Sequence, residues 1–251
     1  MDDLGMAVAV PETVRRIVSL VPSLTESVAA TVPEALVGAT DWCSHPADLD
    51  VTRVRGTKNP DLEAIKKLRP DVVLANAEEN RPADLEALRA AGIAVWVTKI
   101  ETLEEAFVSL ERMFTYACRT DRPTWLDAAE AAWGEAAAEG RRRTAIIPIW
   151  RRPWMVVGRD TFTGDVLKHL GVDNLYAGHA ERYPKIPLPE LVECRADLVV
   201  LPDEPYAFSA ADGPECFPGH SCALVSGRLL TWYGPSLVEA PERLRRDLGG
   251  G

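Results

Sequence analysis

The chain of 251 residues reads as an α/β protein: two lobes with mainly parallel sheets, joined by one long helix. Three observations predict this. Short apolar runs alternate with amphipathic stretches along most of the chain, the succession that builds parallel sheets covered by helices on both faces through right-handed crossovers. A segment of the first half, DLEAIKKLRPDVVLANAEEN, and one of the second, LPELVECRADLVVLPDEPYAF, follow one plan. Each has an acidic residue early in a helix, an apolar helix face, an Asp just before an apolar strand and a polar loop after it. Glu63 corresponds to Glu190 and Asp71 to Asp197, with the second copy one residue shorter between these landmarks. Between the copies lies the longest uninterrupted helical signal, Asp121 to Gly140.

The first lobe opens with RRIVSLVPSLTESVAA, in which Ile17 to Val21 is an apolar run suited to a buried parallel strand. Pro22 breaks it, and Ser23 or Thr25 with Glu26 can begin a helix. Leu36 to Ala39 reads as a second strand, whose exit loop gathers Trp42, Cys43, Ser44 and His45. A helix at Leu62 to Leu68, a strand at Val72 to Ala75, a helix at Pro82 to Ala91 stopped by Gly92, and a strand at Ile93 to Val97 follow. Thr102 to Cys118 supplies another helix, its buried side formed by Leu103, Ala106, Phe107, Leu110, Met113 and Phe114. In the second half the alternation predicts strands at Ala145 to Ile149 and Met155 to Val157, with turn material in WRRPW between them. A helix at Gly164 to Leu170 stopped by Gly171, the repeated helix and strand, and a loop rich in Gly, Pro and Cys come next. A strand ending on Trp232 and a final helix close the chain.

In the central helix Asp121 can accept from the orphan amides of the first turn, where Pro123 costs little. Trp125, Ala129, Ala132, Trp133 and Ala136 recur at three- and four-residue spacing as one apolar stripe, which makes both tryptophans frame residues; Asp127, Glu130, Glu135 and Glu139 take the other sides, and Gly140 ends it. At roughly 1.5 Å per residue it reaches about 28 Å. It divides the chain into an N-terminal lobe over 1–118, a connecting helix over 119–141 and a C-terminal lobe over 142–251.

A hydrophobic content of 47% belongs to a globular protein with a sizeable core, and a formal net charge of −10 argues against nucleic acid or an anionic membrane as the partner. No apolar run approaches the ~20 residues of a membrane span. The first twenty residues begin acidic and carry no export signal as written, which points to the cytoplasm, or to a periplasmic or lipid-anchored extracellular place if a leader has been removed. Five cysteines without a tight pairing pattern favour reduced thiols.

The motifs RIVSLVPSLTE, VGATDWCSHP, NPDLEAIKKLRPDVVLA and GIAVWV, followed by PWMVVGRDTFTGDVLKHLGVDNLYA, LPELVECRADLVVL and LLTWYGPSLVEA, span nearly the whole chain. Together they resemble the helical-backbone (class III) substrate-binding proteins of ABC transporters, a family of cobalamin, ferric-siderophore and haem receptors, and most closely its cobalamin-binding branch. The resemblance implies two Rossmann-like lobes on one helix, a ligand cleft between them, modest closure, a monomer with no intrinsic cofactor, and a cobalt or iron chelate as the small-molecule partner. It also implies an ABC permease that docks on an acidic residue of each lobe, positions matched here by Glu63 and Glu190. A carboxylate in the first turn of a helix is favourable without any partner, by about 0.3–1 kcal/mol. The cobalamin pattern further places one tryptophan where this chain has Gly56, Thr57 and Lys58 and another where it has Asn76 and Ala77, so the ligand stays open.

In open α/β sheets ligands sit beyond the carboxyl ends of the strands. The candidates from the first lobe are Ser23, Trp42, His45, Lys58 and Asn76. Those from the second are Trp150, Arg151, Trp154, Tyr183, Tyr206, Trp232 and Tyr233. Aromatic side chains with scattered amide and basic groups suit a planar, partly apolar corrinoid or porphyrin. Arg151 with Arg152 keeps an anionic ferric siderophore open. The competing chemistry is thinner. Cys43 with His45, or Cys216, His220 and Cys222, matches no common zinc spacing, and His179 is a loop histidine that could reach a metal centre. A cytosolic tetrapyrrole-handling enzyme of chelatase type would recruit His45, His179 and Glu204, which nothing pairs in sequence. No nucleophile elbow, phosphate loop or nicotinamide fingerprint is present, and a binding protein without catalysis is the expectation.

Overall fold

In a computed structural model, which describes residues 1–135 and 141–249, the apolar runs become the interior strands of two parallel sheets. The chain divides into two units. The first comprises Met1–Ile100, Glu104–Asp127 and Tyr233–Pro235; the second comprises Glu101–Leu103, Ala128–Trp232 and Ser236–Gly251.

Through the first half the elements run β1 (Ile17–Ser19), α1 (Pro22–Ala29), β2 (Leu36–Ala39), β3 (Thr52–Arg53), β4 (Arg55–Gly56), β5 (Asn59–Pro60), α2 (Leu62–Leu68), β6 (Val72–Asn76), α3 (Pro82–Ala90), β7 (Val95–Thr98) and α4 (Leu103–Arg112). The sheet order is β3-β2-β1-β6-β7, parallel throughout, and β4 with β5 makes a separate two-residue hairpin. The period of two in the strands puts Val18, Leu20, Val73, Ala75, Val95 and Val97 on one core with Ile65, Leu85 and Leu88 from the covering helices. Asp61 caps α2 by accepting from the Ala64 amide at 3.0 Å. Past α4 the helix widens into a π-helical stretch, Met113–Cys118.

The central helix, α5 (Thr124–Glu135), starts three residues later than its sequence pattern suggests. Pro123 precedes its first turn, Leu126 N donates to Pro123 O, and Asp127 is drawn to the Arg122 guanidinium at 2.6 Å. Leu126, Ala129 and Trp133 are buried along one stripe. Trp125 donates its indole N–H to Thr31 within the first unit, and Trp133 donates to Leu237 O within the second. Ala136, Glu139 and the expected stop at Gly140 lie outside the described residues.

The remaining elements are β8 (Arg143–Ile146), β9 (Pro148–Trp150), β10 (Met155–Val156), α6 (Phe162–His169), β11 (Val172–Asn174), α7 (Leu188–Glu193), β12 (Leu198–Pro202), β13 (Cys222–Val225), α8 (Gly227–Thr231) and α9 (Ala240–Asp247). The run Ala145 to Ile149, read as one strand, is two: β8 joins the parallel sheet, and β9 turns away to pair antiparallel with β10. The expected strand into Trp232 is α8 instead, capped by Ser226. The parallel strand comes earlier, from the Gly-, Pro- and Cys-rich region, as β13. Gly92 and Gly171 do end helices in left-handed conformations, φ 78° and 79°, which a β-carbon would oppose.

The second sheet has the order β11-β8-β12-β13, parallel throughout. This repeats the first unit's β2-β1-β6-β7, with β12 in the place of β6. The repeated aspartates act alike. Asp71 accepts the Arg15 and Arg16 amides at 2.8 and 2.9 Å ahead of β1, and Asp197 accepts the Thr144 amide and hydroxyl at 2.8 and 2.9 Å in β8. These bonds hold the Asp197 carboxyl below the usual range. A depressed folded value means the charged form favours folding, so this contribution is present above the unfolded pKa of about 3.9 and fades as pH falls through the folded value. Asp197→Asn is therefore expected to lower the urea midpoint at pH 7 and to leave it nearly unchanged at pH 2.5; equal losses at both would discard the latch. Asp71→Ala should cost about 1–3 kcal/mol of unfolding free energy at pH 7.

Candidate functional site

In the first unit the strand ends converge on a closed polar network. Asn76, at the end of β6, is buried; its amide nitrogen donates to Thr98 O and Oγ1, and its oxygen accepts from the Glu78 and Glu79 amides. Asn80 donates to Leu20 O and Thr57 O and accepts from the Asn76 amide, tying the loops after β1, β4 and β6 together. Lys58 reaches the Glu78 carbonyl. Tyr233 lies far along the chain but belongs to this unit, buried and hydrogen-bonded to the side chains of Ser23 and Thr98. Gly234 makes that seat possible: a β-carbon there would stand 2.8 Å from Ser27 Oγ and 3.1 Å from Ser23 O. Burial, with the Glu79 charge next, pushes the Tyr233 phenol far above its usual range; burial also raises the Glu79 carboxyl, with Lys58 opposing.

Trp42 stands apart from this network, 68% exposed. Its indole nitrogen lies over Gly56 of β4, 3.1 Å from where a β-carbon would sit. His45 is half-buried, its Nδ1 3.1 Å from Ser44 Oγ. Cys43 points inward between the hydroxyls of Thr25 and Thr40, and burial raises its thiol, so it does not join His45 as a ligand pair.

In the second unit the aromatics form one cluster. Trp154 is buried, stacked on Phe208 at 6.0 Å and edge-on to Phe217 at 5.3 Å, in a core shared with Ile146, Val199 and Leu201. Tyr206 packs on Phe208 at 4.7 Å and presents an edge to Trp150 at 5.8 Å. Trp150, at the end of β9, remains 43% exposed. Arg151 is paired with Asp212 and, at 2.8 Å, with Glu215, and its guanidinium lies 5.6 Å from the Trp154 ring centre. The Arg151 hydrogen bond holds the Glu215 carboxyl at about 2. Its positive charge is thus answered inside the unit. Trp232 caps α8 and is buried; Tyr183 is half-buried in the loop whose carbonyls pack on Gly158.

All five cysteines are free, and among the described residues no group of three His, Cys, Asp or Glu side chains is placed to hold a metal ion. Cys216 sits beside Arg151, whereas His220 Nε2 meets Cys194 O at 3.2 Å. His179 accepts from the Glu181 amide. Sequence reasoning missed Asn80, Thr98, Asp212 and Glu215, whose partners lie across loops and leave no local spacing to read.

Glu63 and Glu190 occupy exposed first turns of α2 and α7, the helices that precede the corresponding strands β6 and β12. Glu63 pairs with Lys66 at 2.8 Å; Glu190 accepts from Tyr176, whose phenol burial and this carboxylate raise to about 12. Among the described residues no helix is long and apolar enough to cross a membrane.

Residues 17–204 match the model of a family described as periplasmic binding protein. A curated relative, a vitamin B12-binding protein of Vibrio parahaemolyticus, is 24% identical over 197 residues, which cover 75% of this chain and 70% of that one. Among solved structures, the periplasmic vitamin B12 binding protein of Vibrio cholerae is similar with a TM-score of 0.79 at 18% identity, over 94% of this chain and 97% of the other. A periplasmic heme-binding protein in complex with two hemes has the same TM-score at 21% identity, over 93% and 97%. A match across three quarters of the sequence, on a fold of two parallel-sheet units, shows the family: the chain belongs to the periplasmic binding proteins.

Proposed function

We propose that this protein is a non-catalytic receptor for a large planar metal chelate, a corrinoid or related tetrapyrrole, delivered to an ABC-type uptake system. One observation carries the ligand class. Of seven tryptophans only Trp42 and Trp150 are exposed; Trp42 stands in the loop after β2, a strand of the parallel sheet beyond whose end α/β units bind ligands, and Trp150 is the last residue of β9. An exposed indole leaves apolar surface uncovered by its own unit, and a flat conjugated ring is the complement it can stack on. The B12- and heme-binding names of its relatives support the same class. Asn76, Ser23 and Tyr233 shape the first unit's loops from beneath, since their polar atoms are engaged internally. The periplasmic description of the family supports a place outside the cytoplasmic membrane, and the exposed carboxylates Glu63 and Glu190, on corresponding helices of the repeat, support a permease partner.

Titration of the protein with cyanocobalamin, haemin and a ferric siderophore, followed by visible absorbance and tryptophan quenching, should give saturable binding of a tetrapyrrole. No saturable change with any of the three would remove the chelate reading. Trp42→Ala and Trp150→Ala should each weaken binding by about three- to tenfold, the range of one aromatic stacking contact. Charge reversal at Glu63 and Glu190 should leave ligand affinity intact and abolish ligand uptake in cells carrying the cognate permease; unchanged uptake would assign both carboxylates to helix capping alone.

A further inference from the structure

Arg151 is the side chain whose role the structure changes most. A basic residue in a strand-end loop suggests a receiver for an anionic ligand group. Here its Nη1 contacts both Asp212 Oδ1 and Glu215 Oε1, and its Nη2 lies 3.2 Å from Cys216 Sγ, so both faces of the fork are occupied within the unit. Asp212 uses its other oxygen, Oδ2, to accept from the Tyr206 hydroxyl at 2.6 Å. Tyr206 in turn stands edge-on to Trp150, 5.8 Å between ring centres, and Trp150 is the residue bonded to Arg151. The chain Trp150–Arg151–Asp212–Tyr206–Trp150 therefore closes on itself. Its members come from the end of β9 and from a loop some sixty residues later, so tertiary contacts alone bring the two rings together: Phe208 packs under Tyr206, and the Arg151–Asp212 bridge fixes its hydroxyl end.

We propose that Arg151 is a positioning residue: through Asp212 it locks Tyr206 against Trp150 and so sets the aromatic platform of the second unit, and it does not itself receive an anionic group of the ligand. The ligand part of this rests on the chelate reading above; the platform part does not. Glu215 holds the guanidinium, and Asp212, in ion-pair contact with it, connects it to the tyrosine. Nη1 alone meets both carboxylates, while the rest of the guanidinium reaches Cys216 Sγ and lies 5.6 Å from the Trp154 ring centre, a set of contacts that the compact charge of a lysine would not reproduce together.

The ring pair can be read without ligand by near-UV circular dichroism, with far-UV spectra and unfolding midpoints as fold controls. Arg151→Met, Arg151→Lys and the nearly isosteric Asp212→Asn should each remove the Trp150–Tyr206 contribution, defined as the signal lost in Tyr206→Phe plus Trp150→Ala. Arg151→Met combined with Asp212→Asn should lose no more than either alone, the signature of one shared interaction. Glu215→Gln should keep most of the signal. An unchanged aromatic spectrum in folded Arg151→Met and Asp212→Asn would overturn the proposal. For affinity, Arg151→Met should weaken neutral cyanocobalamin and the dicarboxylate haemin by the same factor, about three- to tenfold, for whichever binds. Loss confined to haemin, or retention of haemin binding by Arg151→Lys alone, would make Arg151 an anion receptor instead. If neither compound binds the unaltered protein, the tetrapyrrole part of that reading falls and the ring-pair spectra alone decide the platform.

Discussion

The start of a parallel strand needs acceptors for amides that no hairpin partner supplies, and in both units an aspartate provides them. Asp71 receives the amides ahead of β1, and Asp197 receives the amide and hydroxyl of Thr144 in β8. Each aspartate immediately precedes the strand that lies beside the one it binds, so one carboxylate sets where two strands begin relative to each other. A slip there would displace every loop at the far ends. Within each unit the strand-end loops, which carry its candidate residues, inherit their heights from this latch.

The two units use that frame differently. In the first, the loops are tied by amides: Asn76 and Asn80 spend their donors and acceptors on main-chain groups and the Thr98 hydroxyl, and Tyr233 is inserted from the far end of the chain as a buried plug. In the second, aromatic rings do the tying, with Trp154, Phe208 and Phe217 as a core and the Arg151 ion pairs as its polar edge. Each arrangement leaves one indole outside, Trp42 over the β4–β5 hairpin and Trp150 beside Tyr206. A loop must be rigid to offer an exposed ring at low entropic cost, and both networks provide that rigidity.

Several candidate residues thus act beneath the surface. Trp154 and Trp232 are buried by their neighbours, and Asn76 has no polar atom left for a ligand. Loop position marks where a side chain starts, but its direction is decided by whatever large group packs first. Trp154 turned inward because Phe208 and Phe217 arrive from more than fifty residues away. The misplaced strand near Trp232 has a similar cause: Leu229 and Leu230 are buried equally well on a short helix capped by Ser226, and an apolar pair carries no period.

Composition, strand–helix alternation and the repeated helix-Asp-strand plan were enough to determine the α/β class, the parallel sheets, most element bounds and the equivalence of Asp71 with Asp197, because all of these follow from local periodicity and from spacing within one copy. Tertiary structure alone decided that β13 lies in the Cys-rich region, that 233–235 complete the first unit, and that Arg151 faces two carboxylates. Those outcomes depend on pairings between residues tens of positions apart. Their energies come from burial and ion pairing once the sheets exist, and no short-range pattern in the chain encodes them.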